Sequence, residues 1–200
     1  MRVLGIDPGS HRAGFGLVEG EGRRLRHLEH GVIQVKGSLS ERLVGLFEGL
    51  AAVIARGQPD CVAVEGVFSH KNARSALVLG HARGIALLCA GQAGLEVIEY
   101  STSKVKRSLA GSGRADKGQV QRMVQSLLGL DEPMGEDASD ALALALCHLQ
   151  HQGAAAAVKA AGPRGAGAWA RARPSVVRNR PTVKAAPEAE AEAGGEGEPG

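Results

Sequence analysis

The run "CVAVEGV", Cys61 to Val67, places one carboxylate inside the most strand-like stretch of the chain. Its β-branched and apolar residues suit a strand covered on both faces, and such a strand rejects a charge that has no partner. A chain that keeps Glu65 there either ends the strand at it or has a use for it. Two other acidic positions break the apolar logic around them. Asp7 closes the short apolar run "RVLGID" and is followed by the turn residues Pro8 and Gly9. Asp137 and Asp140 open a final apolar helix in "EDASDALALAL". Each acid alone has a local explanation, as a turn residue, a strand-end residue or a helix cap. Together they need a fold that says whether they meet.

The pattern along the chain supplies one. "RVLGID", "GFGLVE" and "GVIQVK" read as strands, and the short linkers between them suit an antiparallel meander. The period then switches. Ser38 and Glu41 have capping-box spacing, and Leu43, Leu46, Phe47, Leu50, Val53 and Ile54 form one helical stripe that Pro59 ends. "CVAVEGV" is the fourth strand, a helix runs from about Asn72 to Cys89, and "LEVIEY" is the fifth strand. Helical segments follow at "STSKVKRSL", "KGQVQRMVQSLL" and "DASDALALALCHLQ". Three strands followed by alternating helices and strands predict an α/β fold, a mixed five-stranded sheet with helices on both faces.

Composition divides the chain at residue 152. From Gly153 onward it is mostly Ala, Gly, Pro, Arg and Glu, with Trp169 as its only aromatic residue. Such a segment has little large apolar surface to offset the entropy of ordering, so residues 153–200 are expected to be a disordered tail. Its charges are segregated, with seven Lys/Arg between Lys159 and Lys184 and five Glu between Glu188 and Glu198. The remaining 17 basic and 16 acidic residues leave residues 1–152 nearly neutral, which argues against a uniformly basic nucleic-acid-coating surface. Cys61, Cys89 and Cys147 are far apart and never in a CxxC pair, which disfavours a zinc site or disulfide scaffold and fits a reducing compartment. The short apolar start carries Asp7, unlike a signal peptide, and nothing approaches the length of a membrane span, so a soluble cytoplasmic protein is expected.

In a sheet where strand one neighbours strand four, Asp7 and Glu65 are adjacent, and the first turn of the last helix can pack over them. Asp137 and Asp140 lie three apart and share a helix face. Two carboxylates 4 Å apart repel by about 4 kcal/mol at an effective dielectric of 20, so such a cluster calls for a cation. Oxygen-only ligands suit Mg²⁺ or Mn²⁺, and two such ions can act together on a phosphodiester. A basic segment points to the same substrate. Lys104, Lys106, Arg107, Arg114, Lys117 and Arg122 face the single acid Asp116 across the Gly-containing stretch "AGSGRADKG", which suits phosphate-backbone contact. Phe68, just beyond Glu65, reads either as a core residue or as a base-stacking side chain on a loop beside the acids. His70, His81, Cys147 and His148 have no partner at ligand spacing and receive no role.

These motifs, "LGIDPGS…GFG", "VAVEGVF" with "KNA", "EY…VK", "ADK" with "QVQ", and "EDASDALALAL", resemble in order and spacing the RuvC family of bacterial Holliday-junction resolvases. The resemblance covers about residues 1–150. It implies an RNase H-like fold, a homodimer with two sites, and Mg²⁺-dependent cleavage of two opposed strands at a four-way DNA junction, leaving 5′-phosphate and 3′-hydroxyl ends. Carried over by position, Asp7, Glu65, Asp137 and Asp140 resemble the metal-binding carboxylates, two ions per site with Mn²⁺ able to substitute. Lys106 and Lys117 resemble DNA-contacting lysines, Arg114 and Lys104 belong to the same basic segment, and Phe68 resembles the junction-contacting aromatic. One ligand of the final motif is His in some members, whereas both positions are Asp here. The resemblance also implies work beside the branch-migration proteins RuvA and RuvB.

Three other readings compete. Nucleotide-binding proteins of the sugar-kinase and actin superfamily share a loop like "GIDPGS", but they need a second related domain that about 150 folded residues do not supply. Short RNase H-like nucleases of RuvX type share the opening motif but fit the basic segment and the "DASDA" helix less well. A non-catalytic junction-binding protein has no need of four intact acids.

Overall fold

The computed structural model describes residues 1–21, 24–66, 73–161 and 176–177. Strands β1 (Arg2–Asp7), β2 (Arg12–Glu21) and β3 (Arg24–Gln34) form the expected antiparallel meander. Helix α1 (Leu39–Gly57) follows, then β4 (Cys61–Glu65), α2 (Ala73–Gln92) and β5 (Glu96–Tyr100). Three helices close the domain: α3 (Thr102–Ala110), α4 (Lys117–Leu128) and α5 (Glu136–Ala161). A two-residue strand, β6 (Val176–Val177), pairs antiparallel with β5, so the strand order is β3-β2-β1-β4-β5-β6. β1, β4 and β5 run parallel, which sets Asp7 and Glu65 at the same end of adjacent strands.

Strand parity sorts the core into two layers. Leu4, Ile6, Leu17, Val62 and Val64 pack with Leu50, Val53 and Ile54 of α1 and Ala86, Cys89 and Ala90 of α2. Val3, Val18, Cys61, Ala63 and Ile98 point to the other face and pack with α3, α4 and α5. The capping box expected for α1 is formed: the Ser38 hydroxyl accepts from the Glu41 N–H, and the Glu41 carboxylate accepts from the Ser38 N–H. α5 is buried on nearly every side from Ala138 to Leu149, because the sheet lies on one side of it and α3 and α4 on the other. Among the described residues no helix is long and apolar enough to cross a membrane.

Three features differ from the sequence expectation. The composition change at Gly153 does not end α5, which continues to Ala161. The run "GAAAAVKAA" offers no large side chains to bury, yet alanine is the strongest helix former and extends a helix already anchored upstream. Within the stretch expected to be disordered, Val176 and Val177 add a sixth strand to the sheet. β3 also begins earlier than expected, at Arg24, because the pairing Glu21↔Arg24 carries the hairpin past the alternating apolar residues.

α5 reaches β1 and β2 through glycines. A Cβ built on Gly5 would lie 1.8 Å from the Ala141 carbonyl oxygen, and one on Gly14 would lie 1.9 Å from the Asp137 carbonyl oxygen. Gly16 meets Leu142, and Gly20 meets Leu149, at 2.6–2.8 Å. Gly5 and Gly14 thus let helix backbone rest on strand backbone, and a side chain there would lift α5 off the sheet. Gly5→Ala is predicted to destabilise the domain by about 1–3 kcal/mol or more, the usual cost of overpacking. Urea unfolding checks this, and an unchanged midpoint would contradict the close packing.

Candidate active site

Asp7 ends β1 on the face of Val3 and Gly5, and Glu65 ends β4 on the face of Cys61 and Ala63, so both side chains emerge toward α5. The register Ile6↔Val64 places them one step further on, side by side. The glycine contacts bring the first turn of α5 over this edge of the sheet. Asp7, Glu65 and Asp140 line one cavity of about 280 Å³, together with Thr102, Lys106 and Lys117. Asp137 does not line it. Its carboxylate pairs instead with the Arg12 guanidinium of β2, at 2.9 Å. Among the described residues no three of the His, Cys, Asp and Glu side chains are drawn together as a ready-made ion cage.

The electrostatics explain this spread. Burial, followed by the charges of Asp140, Glu65 and Asp137, pushes the Asp7 carboxyl up to about 7. Burial also raises Asp140, against the opposing pull of the Lys117 ammonium. Lys117 lies 3.3 Å from Glu136 and 3.6 Å from Asp140, and the Asp140 charge raises its own pKa. Arg12 and Lys117 are therefore the counter-ions of the two α5 acids. The donor set is oxygen-only, its charge exceeds what two exposed basic side chains neutralise, and it opens to solvent. It fits a hard divalent cation.

Local structure positions the basic partners. Asp116, the only acid of the basic segment, is used as the α4 N-cap, its carboxylate accepting from the Gln119 N–H at 2.8 Å. That cap places Lys117 at the first position of the helix, facing the cavity. Ser101 caps α3 in the same way, and the next residue, Thr102, donates its hydroxyl hydrogen to the Glu65 carboxylate. Lys106 lies one turn further along α3 and lines the cavity. Lys104 is outside it, its ammonium 5.2 Å from the centre of the Tyr100 ring. Arg114 is exposed in the connection between α3 and α4. Phe68 and His70 lie outside the described residues. His148 is a core residue, its Nδ1 2.9 Å from the Tyr100 hydroxyl, and burial lowers its pKa to about 4. Sequence reasoning missed Arg12, Thr102 and Glu136. Nothing in the local sequence of Arg12 signals its partner, because the pair joins β2 to α5 across the sheet.

The sheet order, the helices on both faces and an acidic cavity at the ends of adjacent parallel strands define an RNase H-like nuclease domain. Sequence comparison narrows the class. The profile described as "Crossover junction endodeoxyribonuclease RuvC" matches residues 3–148, and the chain belongs to that family. The RuvC crossover junction endodeoxyribonuclease of Myxococcus xanthus is 54% identical over 175 residues, covering 85% of this chain and 92% of that protein. That of Halorhodospira halophila is 50% identical over 165 residues, covering 82% and 98%. Among solved structures, T. thermophilus RuvC in complex with a Holliday junction substrate matches with a TM-score of 0.74 and 36% identity, covering 78% of this chain and 96% of that one. The yeast mitochondrial resolvase Ydc2, at 13% identity and a TM-score of 0.53, shares the fold.

The raised Asp7 value has a consequence for stability. The folded carboxyl keeps its proton where the unfolded one, at the ordinary value of 3.8, has lost it. Its contribution to stability is present below that value and is lost as pH rises toward 7. With chelator present, Asp7→Asn is predicted to raise the melting temperature more at pH 8 than at pH 5. An equal or absent gain at both pH values would contradict the assignment.

Proposed function

We propose that this chain resolves four-way DNA junctions by hydrolysing one phosphodiester in each of two opposed strands, leaving 5′-phosphate and 3′-hydroxyl ends. The observation that carries the reading is the convergence of Asp7, Glu65 and Asp140 from three separate elements on one cavity that Lys106 and Lys117 also line. Membership of the RuvC family gives that cavity its reaction.

Asp7, Glu65 and Asp140 would hold Mg²⁺, with Asp137 joining them when it leaves Arg12, and four carboxylates suffice for two ions. Bound there, Mg²⁺ would supply a lowered pKa for a water molecule and positive charge opposite the phosphate, and Mn²⁺, with similar ligand preferences, would substitute. Thr102 holds the Glu65 carboxylate in place from one side. Lys117 leaves Glu136 and Asp140 for a phosphate oxygen, and Lys106 offers a second ammonium at the same wall. Arg114 and Lys104 extend the basic surface beyond the cavity, and Phe68 follows β4 closely enough in sequence to meet a base near the junction.

A homodimer places two such sites on a roughly two-fold substrate. The outer side of α2 supports this reading. Leu77 and Leu88 are 63% and 50% exposed, and nothing among the described residues lies within 4 Å of a Cβ built on Gly80 or Gly84 between them. Family membership supports a cytoplasmic enzyme that works beside the branch-migration proteins RuvA and RuvB.

Incubating the protein with Mg²⁺ and either a labelled four-way junction or the matching linear duplex tests the reading. Wild type is expected to cut the junction in paired, opposed strands and to spare the duplex. Asp7→Asn and Glu65→Gln are expected to bind the junction but to lose at least about 100-fold in cleavage, in line with the loss of a catalytic group. An uncut junction, or variants as fast as wild type, would overturn it. Lys117→Ala is expected to weaken binding and flatten its salt dependence by about one unit of slope.

A further inference from the structure

Glu65 occupies a strand end where the sheet leaves its main chain one donor short. Along β4, backbone groups alternate between the two neighbouring strands. The Gly66 N–H donates to the Tyr100 carbonyl at 2.8 Å, on the β5 side, which turns the Glu65 carbonyl toward β1. With Ile6 opposite Val64, the residue in register to donate to that carbonyl is Pro8, one past the end of β1. Proline has no N–H. The donor comes instead from α2, where Nη1 of Arg83 donates to the Glu65 carbonyl oxygen.

Arg83 does more than fill a gap. It is only 8% exposed, and its Nη2 lies 2.6 Å from the Glu99 carboxylate on β5. One guanidinium thus bridges β4 and β5 at the level of the cavity, and its planar fork fixes the direction of both bonds. Burying such a pair brings little net stability, since an apolar pair of similar size does as well or better. The arrangement restrains the end of β4 while Thr102 restrains the Glu65 carboxylate.

We infer that Arg83 is a positioning residue for cleavage: clamped by Glu99, it fixes the main chain of Glu65 so that the carboxylate points into the cavity. The inference rests on the nuclease reading above and concerns the same site. Partners that orient a metal-binding side chain from behind typically matter about 10–100-fold in affinity or rate.

Two variants test it, Arg83→Lys and the double variant Arg83→Met with Glu99→Met. Lysine keeps the charge opposite Glu99 but cannot make both directed bonds. The double variant removes both charges together, so neither is left unpaired, and its stability cost is confined to the lost hydrogen bond at the Glu65 carbonyl. Thermal melting, junction affinity, single-turnover cleavage, and calorimetric Mn²⁺ binding without DNA are measured for each. Both variants are expected to melt near wild type and bind the junction within about 2-fold, yet to cleave about 10-fold more slowly and bind Mn²⁺ more weakly. Either variant, folded and matching wild type in cleavage and Mn²⁺ binding, would overturn the inference, as would losses that track only the unfolded fraction. Mn²⁺ binding separates this outcome from failure of the nuclease reading, because it reads the Arg83 effect whether or not the wild type cuts a junction.

Discussion

At Gly5 a single added carbon would sit 1.8 Å from the Ala141 carbonyl oxygen, and at Gly14 it would sit 1.9 Å from that of Asp137. α5 therefore rests on bare strand backbone, and its first turn stands directly over the ends of β1 and β4. Everything chemical in the domain follows from that contact. It brings Asp140 into the cavity already lined by Asp7 and Glu65, and it sets Asp137 above Gly14, within reach of Arg12. A helix at the ordinary spacing from a sheet with side chains at these positions would leave the acids of α5 further from those of the strands.

The contact creates an electrostatic conflict, and the fold holds it in place. Burial, with three neighbouring acids, raises Asp7 far above its ordinary value, and the described cations nearest the α5 acids are the side chains of Arg12 and Lys117. These are exposed pairs that contribute little stability, and they can exchange one anion for another. A divalent ion and a phosphate backbone are together the complementary charges: the ion for the carboxylates, the phosphates for the two displaced basic side chains. Strain of this kind is common where a site is shaped for a ligand rather than for stability.

Much of this was legible in the sequence. Asp7, Glu65 and the α5 acids stood out because each interrupts an apolar pattern. The switch from hairpins to alternating helices and strands predicted a mixed sheet, whereas the pairing of β1 with β4 came from the structure. The capping box at Ser38 and Glu41 fixed the start of α1. What was not legible depends on long-range register. Glycine carries no hydrophobic signal, so the path of Gly5, Gly14, Gly16 and Gly20 under α5 could not be read as a packing face. The partners of Asp137 and Glu65, namely Arg12, Thr102 and Arg83, lie on other elements and become visible only when the sheet is assembled. Composition misplaced the end of α5 because a poly-alanine stretch looks poor in core residues while being rich in helix propensity.

The central claim is that carboxylates delivered by β1, β4 and α5 act as one cation site. Crystals soaked in Mn²⁺ and measured at the manganese absorption edge test it most directly. The account predicts an anomalous peak among Asp7, Glu65 and Asp140, with Asp137 turned from Arg12 toward the ion and the Lys117 ammonium withdrawn from Asp140. Manganese bound only elsewhere, with the Arg12–Asp137 and Lys117–Asp140 pairs intact at saturating metal, would contradict it.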